Sequence, residues 1–342
     1  MADKRTELDK LGEFGLIDRI KKGVKIKNQS SVTGIGDDAA VIDAGDKYLL
    51  VTTDMLLEGI HFDLSYMPIK HLGYKSVVVN LSDIAAMNGI PKQITTNLGL
   101  SNRFSLEAVD TLYEGIKEAC RHYKVDLVGG DTTSSVSGMV LSITALGEVE
   151  KDRIAYRKGA KENDILCVTG DLGAAYLGLQ ILEREKQVFL TNPEMQPQLD
   201  EYEYLVHRQL KPEARTDFIH DLKEAQVVPT AMIDISDGLA SDVMHICQQS
   251  NTGVNIYEDK LPFDQFMIET AATFKIDPVT CALNGGEDYE LLFTIGQEDF
   301  EKIKNHPDIS TIGYITKSSQ GKNLVTKSGN AVAIKAQGWR HF

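Results

Sequence analysis

Three of the six aspartates in one stretch, GIGDDAAVIDAGDKYLLVTTDMLLEGIHFD at residues 34–63, are placed to act together. Asp37 and Asp38 precede one apolar run, 39–42, and Asp54 follows another, 48–53, with a Gly-containing turn between them. If the runs pair as a hairpin, the start of the first strand lies beside the end of the second. The carboxylates then meet at one end of a sheet. Carboxylates a few ångströms apart repel by about 4 kcal/mol per pair at the effective dielectric of a protein surface, so the group calls for cations or protons. The chemistry this suits is a hard-metal site. Asp83, in NLSDIAAMNG, joins the same acidic set; solvated acids on loop tips are the bland alternative.

Acid stands beside glycine at Gly36-Asp37-Asp38, Gly130-Asp131, Gly170-Asp171, Asp237-Gly238 and Gly285-Gly286-Glu287-Asp288. Any one of these is ordinary turn chemistry. Taken with the acidic group they suit a metal-nucleotide site, since glycine lets backbone amides approach phosphate while a neighbouring carboxylate holds a bridging Mg2+. No GxxxxGK[ST], GxGxxG, HRD, DFG, HExxH or GxSxG motif is present, which argues against a common hydrolase, dehydrogenase or protein kinase. His61 follows the Asp54 strand, placed either to contact a ligand or to be structural. Asp242 and His245, at i, i+3, read as a local surface pair. Trp339, the single tryptophan, reads by sequence physics as an anchor for the tail.

The elements that must position these groups follow from apolar periodicity and turn residues. Leu8, Leu11, Phe14, Ile17 and Ile20 predict a short amphipathic helix packed on the first domain. Pro68 opens a segment, 68–89, that reads as a helix carrying Asp83 despite its Val run, because it is long and closes at Asn88-Gly89. A strand is predicted over 93–100, a helix capped by Ser105 over 105–123, a short buried strand over 126–128 and a longer strand over 139–149. A polar shift at 150–164 marks the boundary between domains 1–150 and 151–342. Beyond it a strand over 165–171 runs into a helix over 172–184, and a loop rich in Gln, Asn and Pro extends to about 197. A strand over 231–238 likewise runs into a helix over 239–249. Strands at 254–257, 290–294 and 312–315 and helices around 264–274 and 297–306 complete the set. An aspartate recurs where a strand is predicted to end: Asp54, Asp131, Asp171 and Asp237. The alternation of strands and helices predicts two α/β or α+β domains with mixed sheets.

Composition bounds the function. A chain of 342 residues exceeds what one core usually supports. The net charge of -14 disfavours wrapping nucleic acid or an anionic membrane. Cys120, Cys167, Cys247 and Cys281 are scattered and read as reduced, buried thiols, without zinc spacing. No signal peptide and no run of ~18 apolar residues is seen, so a cytoplasmic protein is expected.

GIGDDAAV, VTTDMLLEGIHF, NLSDIAAMNG, GGDTT, GDLGAAYLGL, DISDGLASD, GGEDYELLFT and GWRHF together resemble the thiamine-monophosphate kinase family, within the superfamily of aminoimidazole ribonucleotide synthetase. The match runs in order over nearly the whole chain. The resemblance implies an aminoimidazole ribonucleotide synthetase-like fold whose N-terminal sheets pair across a homodimer. Residues 1–150 would form the ATP- and Mg2+-binding, dimerising domain, and 151–342 an α/β domain completing the nucleotide and substrate site. It implies ATP-dependent phosphorylation of thiamine monophosphate to thiamine diphosphate, with several Mg2+ ions, no covalent phosphoenzyme and no dedicated catalytic base. Asp37, Thr52, Thr53, Asp54, Asp83, Asp131, Asp234 and Asp237 would be metal ligands. Tyr113, Gly130, Asp131, Arg157 and Ser236 would contact ATP. His61, the Gly285 to Glu287 loop and Trp339 would line the thiamine phosphate pocket. Asp38 is left open, since one of two neighbouring acids usually turns away. Two alternatives stand: another ATP-using member of the superfamily, such as a purine-pathway or selenophosphate synthetase, and a non-catalytic metal- or nucleotide-binding protein. The lack of an N-terminal cysteine counts against the selenophosphate enzyme.

Overall fold

The two apolar runs around Gly45 pair as the sequence predicts. In the computed structural model, which describes residues 12–335, α1 (Gly12–Gly23) and β1 (Ser31–Thr33) lead into β2 (Ala40–Asp43) and β3 (Lys47–Leu57). β2 and β3 are antiparallel, with Ala40 opposite Val51 and Asp43 opposite Tyr48. The predicted N-terminal helix is found as α1, although Ile20 is exposed and Leu8 and Leu11 lie outside the described residues.

Then come α2 (Ile69–Ala86), β4 (Ile90–Leu100), α3 (Leu106–Tyr123), β5 (Asp126–Ser134) and β6 (Met139–Glu150). The six strands order as β1-β2-β3-β6-β4-β5, antiparallel except for the parallel β4 and β5. Ser105 caps α3, its side chain accepting from the Ala108 amide at 3.3 Å. The strand expected to be short and buried, β5, is instead a long edge strand with most residues exposed. Asp131 therefore lies inside a strand and not at its end, as does Asp54 within β3.

Helix α2 explains why its sequence resisted an amphipathic reading. It packs against α3, against β3 and β6, and against the second half of the chain, so nearly every side from Leu72 to Ala86 is buried. A helix enclosed all round needs no polar face. Its contact with α3 is made through glycine: a Cβ on Gly73 would fall 2.1 Å from Leu112 O, and one on Gly115 1.8 Å from Lys70 O.

The second half comprises β7 (Ile165–Thr169), α4 (Ala174–Thr191), α5 (Glu203–Leu210), α6 (Thr216–Glu224), β8 (Ala231–Asp234), α7 (Leu239–Ser250) and β9 (Thr252–Tyr257). After these come α8 (Gln265–Phe274), α9 (Pro278–Asn284), β10 (Leu291–Ile295), α10 (Gln297–Ile303), β11 (Ile309–Lys317), β12 (Lys322–Val325) and β13 (Ala331–Ala333). Its strands form a second mixed sheet, ordered β13-β12-β9-β11-β7-β10-β8, with only β12 and β9 parallel among the described pairs. The sheets divide between residues 150 and 165, but the cores do not divide there: Leu182, Leu210 and Ala214 join the first core, and Ala85 and Ala86 join the second half's. Helix α4 runs two turns past its predicted end, and α5, α6 and α9 were not anticipated. All four cysteines are buried and free. No helix among the described residues is long and apolar enough to cross a membrane.

Candidate functional site

Three elements converge on the acids. The β2–β3 register sets the Asp37-Asp38 turn beside Thr52–Asp54, in the middle of β3. Helix α2 crosses beneath with Asn80, Ser82 and Asp83, and β8 ends on Asp234. Carboxylate oxygens of Asp38, Asp83 and Asp234 all lie within 4.8 Å of one another. Hydroxyls from the same elements steady them: Thr52 Oγ1 donates to Asp83 Oδ2 and Ser82 Oγ to Asp234 Oδ2, each at 2.6 Å. Asn80 Oδ1 accepts from the Asp54 amide at 2.9 Å, tying β3 to the helix.

Asp38, which the sequence leaves open, thus faces the cluster. Its side chain is fully buried. Arg157 Nε and Nη2 both donate to Asp38 Oδ1, at 3.1 and 2.5 Å, while Asp38 Oδ2 is buried without a hydrogen-bond partner. Asp37 turns to the backbone, its Oδ1 accepting from the amides of Asp38 and Arg157 at 3.3 and 3.1 Å. Thr53 points away from Thr52 and Asp54, because successive strand residues alternate faces; its hydroxyl donates to Ile143 O at 3.0 Å.

The electrostatics follow from burial. Desolvation, then the charge of Asp38, pushes Asp37 and Asp54 up to about 6 and Asp234 up to about 7. Asp83 is held well above the usual carboxylate range by burial and then by Asp54, Asp234 and Asp38. A buried set of oxygen donors with one orphaned carboxylate oxygen and a single nearby guanidinium fits a hard divalent cation, which supplies the missing positive charge.

A second group lies on the first sheet. Tyr113, Thr96, Gly130 and Asp131 line one open cleft of about 430 Å³. Across the sheet Asp54 lies opposite Ile143, Ile143 opposite Thr96, and Thr96 opposite Gly130. Three strand spacings, about 14 Å, therefore separate Asp54 from Gly130. Tyr113, Gly130 and Asp131 are brought together, and Asp131 is kept apart from the buried acids of its own sheet.

The third group is a pair of loops zipped by backbone. Beyond the β8–β10 ladder, Ile235 N donates to Glu290 O, Tyr289 N to Ile235 O and Glu287 N to Ser236 O, at 2.8, 2.9 and 2.8 Å. Gly286 has φ +69°, and a Cβ there would meet Ser236 O at 2.4 Å. Glu287 and Tyr289 also take positive φ, 59° and 52°, conformations that persist where surroundings impose them and that cluster at functional sites. Ser236 and Glu287 are thereby adjacent. Asp242, expected at the surface, is buried and accepts from Gly238 N at 3.1 Å, so it steadies the turn that carries Asp237.

His61 sits in the turn after β3, its Nδ1 accepting from the Leu57 amide at 3.0 Å. Asp171 lies in a separate network: Tyr204 donates to it at 2.7 Å, beside Arg208, which also reaches Glu290 at 3.1 Å. Trp339 lies outside the described residues.

Known proteins match this arrangement. The family described as AIR synthase related protein, N-terminal domain, matches residues 36–149. The thiamine-monophosphate kinase of Bacillus subtilis is 35% identical over 97% of this chain and 100% of its own length. That of Aquifex aeolicus is 36% identical over 98% and 99%. Among solved structures, AaThiL complexed with AMPPCP and TMP superposes with a TM-score of 0.83 at 34% identity, covering 99% of this chain and all of the other. Thiamine-monophosphate kinase from Stenotrophomonas maltophilia gives 0.72 at 32% identity, over 94% and 98%.

Proposed function

Since the chain belongs to the thiamine-monophosphate kinase family, we propose that the buried acids, the Tyr113 cleft and the zipped loops are the working parts of that activity. The enzyme transfers the γ-phosphoryl group of ATP to thiamine monophosphate, giving thiamine diphosphate and ADP. The observation that carries the site assignment is the convergence of Asp38, Asp83 and Asp234 within 4.8 Å in a buried setting.

Asp37, Asp38, Thr52, Asp54, Asp83, Asp234 and Asp237 would hold Mg2+; Thr53, on the opposite face of β3 with its hydroxyl given to Ile143 O, stays outside that set. The ions, when bound, neutralise the charge of two anions brought together. Tyr113, Gly130 and Asp131 would form the nucleotide wall, with Asp131 also able to hold Mg2+; Arg157 and Ser236 would contact the same nucleotide from the second half. His61 and the Gly285 to Glu287 loop hold thiamine monophosphate, with Trp339 as a platform for its ring. A phosphate monoester has a second pKa near 6, so the attacking oxygen is largely deprotonated at neutral pH and requires no dedicated base. Transfer is therefore direct and in line, and the protein's work is positioning.

Residues 1–150 are read as the nucleotide, metal and dimerising domain, and 151–342 as the domain that completes the site. The enzyme is read as a cytoplasmic homodimer, paired through the first sheet, whose edge strand β5 leaves Val128 exposed. The test is to incubate the protein with ATP, Mg2+ and thiamine monophosphate and look for thiamine diphosphate by chromatography. Intact ATP binding without product would reject the assignment, and would leave a non-catalytic nucleotide-binding protein.

A further inference from the structure

Lys75, in the middle of α2, is 2% exposed. A lysine is normally solvated, and one buried this deeply needs a partner. Its Nζ donates to the backbone oxygen of Gln209 and forms an ion pair with Glu287 Oε1, both at 2.9 Å. Gln209, from α5 and 4% exposed, donates its Nε2 to Glu287 Oε2 at 2.5 Å. A carboxylate only accepts, so this contact fixes which way the amide points. The cost is visible at the other end: Gln209 Oε1 is buried without a hydrogen-bond partner.

Both carboxylate oxygens of Glu287 are thus held by buried side chains from two helices, one by an ion pair and one by a hydrogen bond, while its backbone is held in the left-handed region by Ser236. Stability alone does not ask for this. Replacing a buried ion pair by apolar groups of similar volume is often neutral or stabilising, and a purely structural amide would pair at both ends. An arrangement of this kind fixes one geometry for one group.

We propose that Lys75 and Gln209 are positioning residues that lock the Glu287 carboxylate in the orientation in which it accepts N–H donors from the thiamine ring of the substrate. The inference rests on the reading of Glu287 as a thiamine phosphate contact. Neither residue touches substrate; each acts through Glu287. The lock spans the two halves of the chain, with Lys75 from the first and Gln209 and Glu287 from the second. Recognition of the acceptor is thereby coupled to the same helix that carries Asp83.

Steady-state kinetics of Lys75→Met, Gln209→Leu, Glu287→Gln and the double variant Lys75→Met/Glu287→Gln test this. Lys75→Met is expected to raise KM for thiamine monophosphate roughly tenfold or more and to leave KM for ATP nearly unchanged. Gln209→Leu, which strips no charge, should show the same split more weakly, and it carries the test alone if Lys75→Met does not fold. In the Glu287→Gln background, Lys75→Met should add little, because its target is already altered. Equal changes in both Michaelis constants, no change in either, or additive effects in the double variant would overturn the proposal while leaving the kinase reading intact. An unaltered protein that makes no thiamine diphosphate would overturn both.

Discussion

Asp234→Asn should make the metal-free protein more stable and the enzyme inactive. Asp234 is 2% exposed, and its carboxylate shares the cluster with Asp38 and Asp83. Burial first, and the Asp38 charge second, raise it from 3.8 to about 7. A carboxyl whose folded pKa is raised adds stability below its unfolded value and loses it as pH rises through the folded one. At a pH of about 8 the whole displacement, worth about 4 kcal/mol at about 1.4 kcal/mol per pH unit, works against the fold. Coulomb's law gives the same order: about 3.5 kcal/mol per ionised pair at 4.8 Å and an effective dielectric of about 20. Removing one carboxylate lets the remaining acids ionise more freely, so about half, roughly 2 kcal/mol, should be recovered. Asparagine keeps an oxygen to accept from Ser82 Oγ. With an unfolding entropy of about 2 cal/mol/K per residue, the midpoint should rise by about 3 °C. Calorimetry in EDTA is the assay, repeated at a pH of about 5, where the acid is protonated in the fold but still ionised in the unfolded chain, so the gain should shrink to less than half. With Mg2+ at the higher pH the order should invert, since the wild type gains by binding the ion. A variant less stable than wild type in EDTA at a pH of about 8 would refute this electrostatic account.

Further outcomes follow from other contacts. Arg157→Met leaves Asp38 buried without its guanidinium; it should cost about 3 kcal/mol or more of stability without metal, with part of the loss restored by Mg2+ in a melting experiment. Gly115→Val places a side chain where a Cβ would already lie 1.8 Å from Lys70 O; a drop of several degrees in melting temperature together with lost activity is expected, because α2 carries the acids. The four buried cysteines, with burial raising Cys167 and Cys281 to about 12 and Cys247 to about 11, should resist a thiol reagent such as DTNB in the native state and titrate as four thiols in guanidinium.

Much of the fold was legible because local signals agree with it. Apolar runs on either side of the Gly45 turn define β2 and β3, the Ser105 cap opens α3, and Pro68 marks the entry to α2. Misreadings came where tertiary surroundings override local pattern. Strand β5 looked buried because it is apolar and short in pattern, yet it lies at a sheet edge. Asp242 looked exposed at helical spacing, but α7 turns it inward to hold the Gly238 amide. The segment after Pro197 carries α5 and α6, whose short amphipathic turns give little periodicity, and with them Gln209 and Arg208 were missed.

The sequence by itself determined the family and showed acids beside glycine turns, because ordered motifs survive without coordinates. It also determined that Asp37, Asp38 and Asp54 would lie near one another, since hairpin pairing is a local matter of register. Only the tertiary structure decided that Asp38 and not Asp37 faces Asp83 and Asp234, because the choice depends on where Arg157, more than a hundred residues later, places its guanidinium. The same holds for Lys75. Nothing in its helix distinguishes it from a surface lysine, and its role becomes visible only when α5 and the Glu287 loop close over it and leave the charge no water to turn to.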